Sequence, residues 1–395
     1  MQKFIRKFIF VMFIVVALAM TLVGCGKKEL QISERKEENQ LDTQNYRKYT
    51  LEDNIYLKEG AFITIQENTL LDLNGHAIIG NNSYVIQVGG VNKKAHLVLQ
   101  DSAGTNAENM HYLAYSKYTN SYSRYGTSQQ GGVDTTNAPT FLPDSYITVH
   151  GGLITGGSGA FSGGGVYVYE GSRFDMLGGT IAGNNTSGGG GGVYVARSAM
   201  FSLRGGTIKG NSSAGYGGGI YVAEGKCNIY GGDVQGNTAV AGGGGVYTIS
   251  SELNITDGNI AQNSARFGGG VNAITSLVSI FGGNIRWNLA QEGGGMSAFN
   301  SNLEMQSGTV QQNVATKLGG GIKFAQTEGN AVFNLHDGQI IENAAKQGGG
   351  IYLLRASIHL NGGEMKNNKV SDSDKNIYNF DNLGTVYFNG CKIEE

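Results

Sequence analysis

Proline, cysteine and segments with helical spacing are what this chain has least of. Its two prolines, Pro139 and Pro143, fall in one short region, and its three cysteines, Cys25, Cys227 and Cys391, are too few and too scattered for a disulfide framework. Cys25 belongs to the N-terminal segment. Cys227 occupies an inward strand position about six repeats from Cys391, which argues against a bridge. Charge is sparse and balanced: 29 basic and 31 acidic residues give a formal −2, and no basic block occurs beyond the first residues, which argues against nucleic acid as a partner.

Glycine is what the chain has in excess, 65 residues of it, and much of it is periodic. From Gly163 to Asn368 one unit recurs eight times, as in GGGVYVYEGSRFDMLGGTIAGNN and GGGVYVARSAMFSLRGGTIKGN. The residues that follow each glycine cluster, Val166, Val193, Ile220, Val246, Val271, Met296, Ile322 and Ile351, are spaced by 25 to 29 residues. A fixed period of this size signals stacked repeats. Within the unit, Val166 and Val168 alternate with Tyr167, and a second alternating pair follows at Phe174/Met176. A third strand has one inward residue, Ile181. Glycine and β-branched residues leave no helical segment, so each unit reads as one coil of three short strands, paired in parallel with the coils on either side. Three residues after the third-strand apolar position stands an asparagine in every coil: Asn184, Asn211, Asn237, Asn263, Asn288, Asn313, Asn343 and Asn368. Such a column fits a structural amide ladder along the stacking axis.

In chain order, residues 1–24 read as a targeting segment: Lys3, Arg6 and Lys7 precede an apolar run from Phe8 to Val23. Leu22-Val23-Gly24-Cys25 resembles a bacterial lipobox, which implies lipidation of Cys25, export and membrane tethering. Residues 25–53 are polar and read as a tether, its last third alternatively as a cap on the first coil. The repeat begins in degenerate form near residue 54. In LLDLNGHAIIGNN, Leu71 and Leu73 are aligned with Phe174 and Met176, and Ile78 with Ile181. Leu97/Leu99 and Ile147/Val149 supply the next two coils, and the count closes at about twelve with Val386/Phe388. A tyrosine-rich insertion at about 103–144 interrupts the pattern with Tyr112, Tyr115, Tyr118, Tyr122 and Tyr125; loops of this length are usually functional or disordered, and packing over the adjacent coils is the alternative. Asn376-Ile377-Tyr378 continues the period, and the polar tail Lys392 to Glu395 is expected to blunt the end against stacking.

The GGGVYV…F.M.GGTI.GN unit, with LDLNGH and LQDSAGTN upstream, resembles bacterial surface proteins with right-handed parallel β-helix repeats of the pectin-lyase-like type, and the repeats of polymorphic outer membrane proteins. The resemblance covers roughly residues 55 to 390. It implies an all-β, single-stranded right-handed parallel β-helix on a lipid-anchored bacterial surface protein. The same scaffold hosts adhesins, polysaccharide lyases and hydrolases, so the fold does not settle the activity.

A hydrolase needs two carboxylates about 5 to 9.5 Å apart. In the regular region Asp257 and Asp337 share a column but lie three coils apart, about 14 Å by strand spacing, and Asp175, Asp233 and Glu304 fall in different columns. Near the insertion Asp72, His76, His96, Asp101, His111 and His150 are closer in sequence, and the candidates for acid–base work are Asp72, His76, Asp101, His111 and His150. No metal-ligand spacing occurs, and no metal or cofactor is expected. Tyr167, Tyr194, Tyr221 and Tyr247 take the outward position of the first strand in four successive coils, a stripe suited to sugar stacking, to protein contact, or to cross-strand stabilisation of the sheet. With Tyr112, Tyr115 and Tyr118 they are the candidate glycan or protein contacts. The expectation is a monomeric, membrane-tethered extracellular rod that binds a polysaccharide or a host or cell-surface protein. A polysaccharide lyase or glycosidase, and a passive spacer, stand as the alternatives.

Overall fold

The computed structural model describes residues 32–33, 41, 43–104, 109–116, 121–128, 146–159, 162–327, 329–371 and 376–394. The targeting segment, Cys25 and most of the tether lie outside them. The described chain is a parallel β-solenoid. Its strands form four walls of eleven, thirteen, twelve and nine strands, each strand paired with its counterparts in the adjacent coils. In one coil, wall 1 is Val166–Val168, wall 2 Arg173–Met176, wall 3 Thr180–Ala182 and wall 4 Asn185–Thr186. Wall 3 counts twelve coils, from Ile55–Tyr56 to Lys392–Ile393, a stack of roughly 55 Å at the usual strand spacing.

Four walls replace the three strands expected per coil. The extra wall has strands of two to five residues rich in serine, threonine and alanine, as in Ser212–Ser213 and Ala344–Ala345. The other three walls follow the expected alternation: Val166, Val168, Phe174, Met176 and Ile181 are wholly buried, and Phe174 stacks on Phe201 of the next coil with ring centroids 5.0 Å apart. At the last coil the same columns reach the surface, with Phe388 61% and Ile393 37% exposed. Lys392 is no free tail; with Ile393 it pairs against Glu364 and Met365 as the last strand of wall 3.

Three register assignments change. Leu71 pairs with Leu99, which pairs with Met176, so Leu71 belongs to the Met176 column and Thr69 to that of Phe174. Ile147 and Val149 supply no coil: Tyr146–His150 and Ser121–Ser128 flank Met110–Ser116 in a separate antiparallel sheet. The coil thereby lost is replaced at the other end, where Arg47–Leu51 pairs with Thr69–Asp72 inside the segment expected to be a tether. The excursion leaves wall 2 after Gln100 and rejoins the solenoid at Leu153–Thr155 in wall 3. It packs back on wall 3 through Leu113 and Val149 against Ala77, Leu153 and Ala182.

The asparagine column is a continuous ladder. The side-chain oxygen of each asparagine accepts from both the backbone N–H and the Nδ2 of the one before it; Asn237 reaches Asn263 at 2.9 and 3.0 Å. Each Nδ2 also donates to a carbonyl of the preceding coil, as Asn263 to Val234 at 2.9 Å. The run continues to Asn368, whose Nδ2 donates to Asn376. Beside it the glycine cluster lets the backbones close in: a Cβ on Gly244 would stand 2.5 Å from the Gly269 carbonyl oxygen, and Gly243 has φ +66°. Replacing Asn263 with alanine strands two buried donors of Asn237 and the Val234 carbonyl. Asn263→Ala is expected to lower the unfolding free energy by about 3 kcal/mol, read from urea unfolding; a loss below about 1 kcal/mol would remove the ladder from the forces that hold the fold.

Candidate functional site

A concavity runs along wall 4. It has a volume of about 520 Å³ and takes its lining from six successive coils, Asn185 to Thr316. Its floor is the middle column of the wall, Thr186, Ser213, Ala239, Ala265 and Ala290. Because these side chains are small, the floor stays low between the columns on either side. One ridge carries Asn185, Ser212, Thr238 and Ser264 and becomes apolar at Leu289; the other carries Val240, Arg266 and Gln291. The groove is thus hydroxyl-rich toward the N-terminal coils and apolar toward the C-terminal ones, with one cation on its rim. It follows the stacking axis for about 24 Å.

At the corner that leads from wall 3 into wall 4, the residue before each ladder asparagine adopts a left-handed conformation. Glycine fills this position at Gly183, Gly210 and Gly236, glutamine at Gln262 and Gln312, glutamate at Glu342 and asparagine at Asn367. The coil between those glutamines places Trp287 there, with φ +55°. A bulky side chain in this region is strained by about 1 to 3 kcal/mol. Trp287 is the only tryptophan of the chain and is 47% exposed. The Arg286 guanidinium lies over its ring at 4.3 Å. An exposed amide, aromatic, amide series therefore stands beside the groove, one member per coil.

The tyrosine column is in register as expected, but it is half-buried, and Tyr247 is only 5% exposed. Ring centroids follow at 5.0, 5.1 and 4.9 Å through Tyr167, Tyr194, Tyr221 and Tyr247. Tyr84, placed three residues before the in-register Gln87, extends the stack at 5.7 Å from Tyr167. The rings occupy one another's faces, so the inner members present edges and hydroxyls rather than open faces for a sugar. Burial pushes the Tyr84 and Tyr247 hydroxyls up to about 12, and moves Tyr167 and Tyr221 further in the same direction.

The acid–base candidates near the excursion assemble into a brace. Asp101 accepts from the Gly75 N–H with one oxygen and from the Gly152 N–H with the other, both at 2.7 Å, and so, standing where the chain leaves the solenoid, it ties a turn of the preceding coil to the point of return. Burial raises its carboxyl, neighbouring Asp72 adds to this, and the backbone donors of Gly152 and Gly75 oppose it. Asp72 accepts from Asn74 and Ser102 backbone N–H groups and from the Gln100 amide. His111 is buried and gives Nε2–H to the Gly75 carbonyl at 3.2 Å. His76 is half-buried, and His150 is exposed on the far strand. Tyr112 is half-buried, Tyr115 belongs to the Met110–Ser116 strand, and Tyr118 lies outside the described residues. Among the described residues no cluster of three histidine, cysteine or acidic side chains could hold a metal.

The raised tyrosine hydroxyls have a pH consequence. Folding favours their protonated form, so that contribution is complete below the ordinary tyrosine value of about 10 and is lost as pH rises through the folded values. Stability is expected to fall above about pH 10, with the column ionising after the exposed tyrosines in an ultraviolet difference titration; simultaneous ionisation of all tyrosines would contradict the packing. Comparison with known proteins gives no match, whether to a protein-family model, a curated protein or a solved structure.

Proposed function

We propose that this protein is an extracellular rod, tethered to a bacterial membrane through lipid on Cys25, that binds an extended polysaccharide laid along wall 4. The observation that carries the reading is the strained, exposed Trp287 beside an open axial groove lined with hydroxyls. A ligand that repeats along its length suits a protein that repeats along its own, because equivalent groups recur at each coil, about 4.8 Å apart. The groove's volume falls within the usual range for ligand clefts of about 300 to 1,000 Å³. Sugars combine hydroxyls with apolar faces, and the site offers hydroxyl and amide partners together with an aromatic ring. The equivalent corners hold glycine, glutamine, glutamate or asparagine, so folding does not call for an indole there, which supports a role for it in ligand contact.

This placement moves the expected binding surface from the tyrosine stripe to the opposite side of the glycine cluster in the repeat. It keeps the wider expectation of a binding protein at the cell surface. Product analysis on any bound polysaccharide tests the lyase or hydrolase alternative directly.

Because Trp287 is the chain's single tryptophan, its fluorescence reports this corner alone. Titration with a panel of soluble polysaccharides is expected to shift its emission saturably for at least one member. Trp287→Gly is expected to weaken retention on that polysaccharide about tenfold while leaving the melting temperature unchanged or raised, since the left-handed strain is relieved. Unchanged retention by this variant would overturn the assignment of the groove.

A further inference from the structure

The outer face of wall 2 carries a charge cluster that neither the groove nor the tyrosine column uses. Asp175 occupies an outward position of Arg173–Met176, yet its side chain has no solvent exposure. Hydrogen-bond donors from three coils close over it. His96, from the preceding coil, meets Oδ2 with Nε2 at 2.6 Å. Arg173 donates Nε to Oδ2 at 2.5 Å and Nη2 to Oδ1 at 3.1 Å, and Arg204 from the following coil donates Nε to Oδ1 at 2.9 Å. An ionised carboxylate only accepts, so Nε2 of His96 carries the hydrogen; in the neutral ring Nδ1 then receives the Tyr46 hydroxyl at 2.5 Å. Burial alone would raise the Asp175 carboxyl, but the hydrogen bonds from His96, Arg173 and Arg204 together hold it well below the usual carboxylate range.

Two features are left over once this carboxylate is satisfied. The first is an excess of donors. Nη1 of Arg173 and both terminal nitrogens of Arg204 have no protein acceptor among the described residues. The two side chains remain 38% and 35% exposed. Arg204 is also held over the Tyr230 ring, with Cζ 4.6 Å from the centroid. The second feature is independent of the arginines' charge. Ser202, directly in register with Asp175 and only 1% exposed, has a buried hydroxyl without a hydrogen-bond partner. A buried orphan hydroxyl costs stability unless something fills it.

We propose that this face is a binding site for an oxyanion, a phosphate, sulfate or carboxylate group, received by the free edges of Arg173 and Arg204 with the Ser202 hydroxyl as a further donor. Asp175 is the positioning group: bound from both sides, it fixes the two guanidiniums in place before any ligand arrives, which removes much of the ordering cost of binding. The two guanidiniums exceed the one carboxylate by a positive charge, which favours an oxyanion at their free edges. The adjacent Lys226 and Glu252 already neutralise each other at 2.7 Å. The site lies on a different wall from the groove, so it stands or falls apart from the polysaccharide reading.

The test is calorimetric titration of the full-length protein with sulfate and with phosphate at fixed ionic strength, using chloride as the reference. Saturable binding of at least one oxyanion is expected. Arg204→Lys keeps the charge but loses the planar fork and is expected to weaken binding about tenfold. Ser202→Ala is expected to weaken it several-fold without lowering the melting temperature, since it removes an orphaned hydroxyl and leaves the Asp175 cluster intact. That second variant keeps the test decisive even if Arg204→Lys folds poorly. A wild-type protein that takes up sulfate and phosphate no better than chloride overturns the proposal, and so does full affinity in Ser202→Ala. An immobilised sulfated polysaccharide at the same ionic strength identifies the source of the group. Retention that free sulfate displaces and Ser202→Ala weakens assigns a polymer-borne group, whereas binding of the free ion alone assigns a small anion.

Discussion

Everything on this molecule depends on keeping each coil in register with the next. Backbone pairing between parallel strands supplies the cohesion, but a strand with period-two alternation can slip by two residues without changing which side chains face inward. The asparagine ladder removes that freedom. Each inner amide of the ladder meets one amide above and one below at 3.0 to 3.1 Å, and a slipped coil would leave several buried donors without acceptors. Polar groups in the interior therefore specify the arrangement that the apolar columns stabilise. The surfaces argued to bind ligands are columns of outward residues, and they exist as columns only because the register holds.

How far this was legible from residues follows from the same logic. The period, the inward columns and the asparagine ladder could be read because each repeats a distinctive residue type at fixed spacing. The degenerate coils could not be aligned equally well: Leu71 and Leu73 satisfy the alternation as well as Thr69 and Leu71 do, and no ladder residue settled the choice across strands this short. Tyr146–His150 was misplaced because an antiparallel strand packed on one face has the same alternation as a parallel one. Wall 4 escaped notice because strands of serine, threonine and alanine carry no apolar contrast.

The candidate sites were less legible than the fold. His96 and Asp175 are 79 residues apart in sequence, with the excursion between them, so counting by period does not bring them together. The brace at Asp72 and Asp101 was visible only as a concentration of polar residues, and its meaning lay in backbone N–H groups that a sequence does not display. Trp287 did carry a signal. It stands one residue before a ladder asparagine, where neighbouring units have glycine or glutamine, and that departure marks a strained position once the left-handed turn is known. The tyrosine stripe shows the reverse case. Its register was right, but the rings spend their faces on one another.

The clasp at Asp101 has a consequence for how this protein can vary. One carboxylate ties Gly75 to Gly152, and beside it the antiparallel excursion rests on wall 3 through Leu113 and Val149, while coils on both sides pair as though it were absent. That corner is a port. Segments of other lengths that keep an apolar cover over Ala77, Leu153 and Ala182 can be exchanged there without re-indexing the twelve-coil frame, which lets the scaffold acquire a new accessory surface while its own axis stays unchanged.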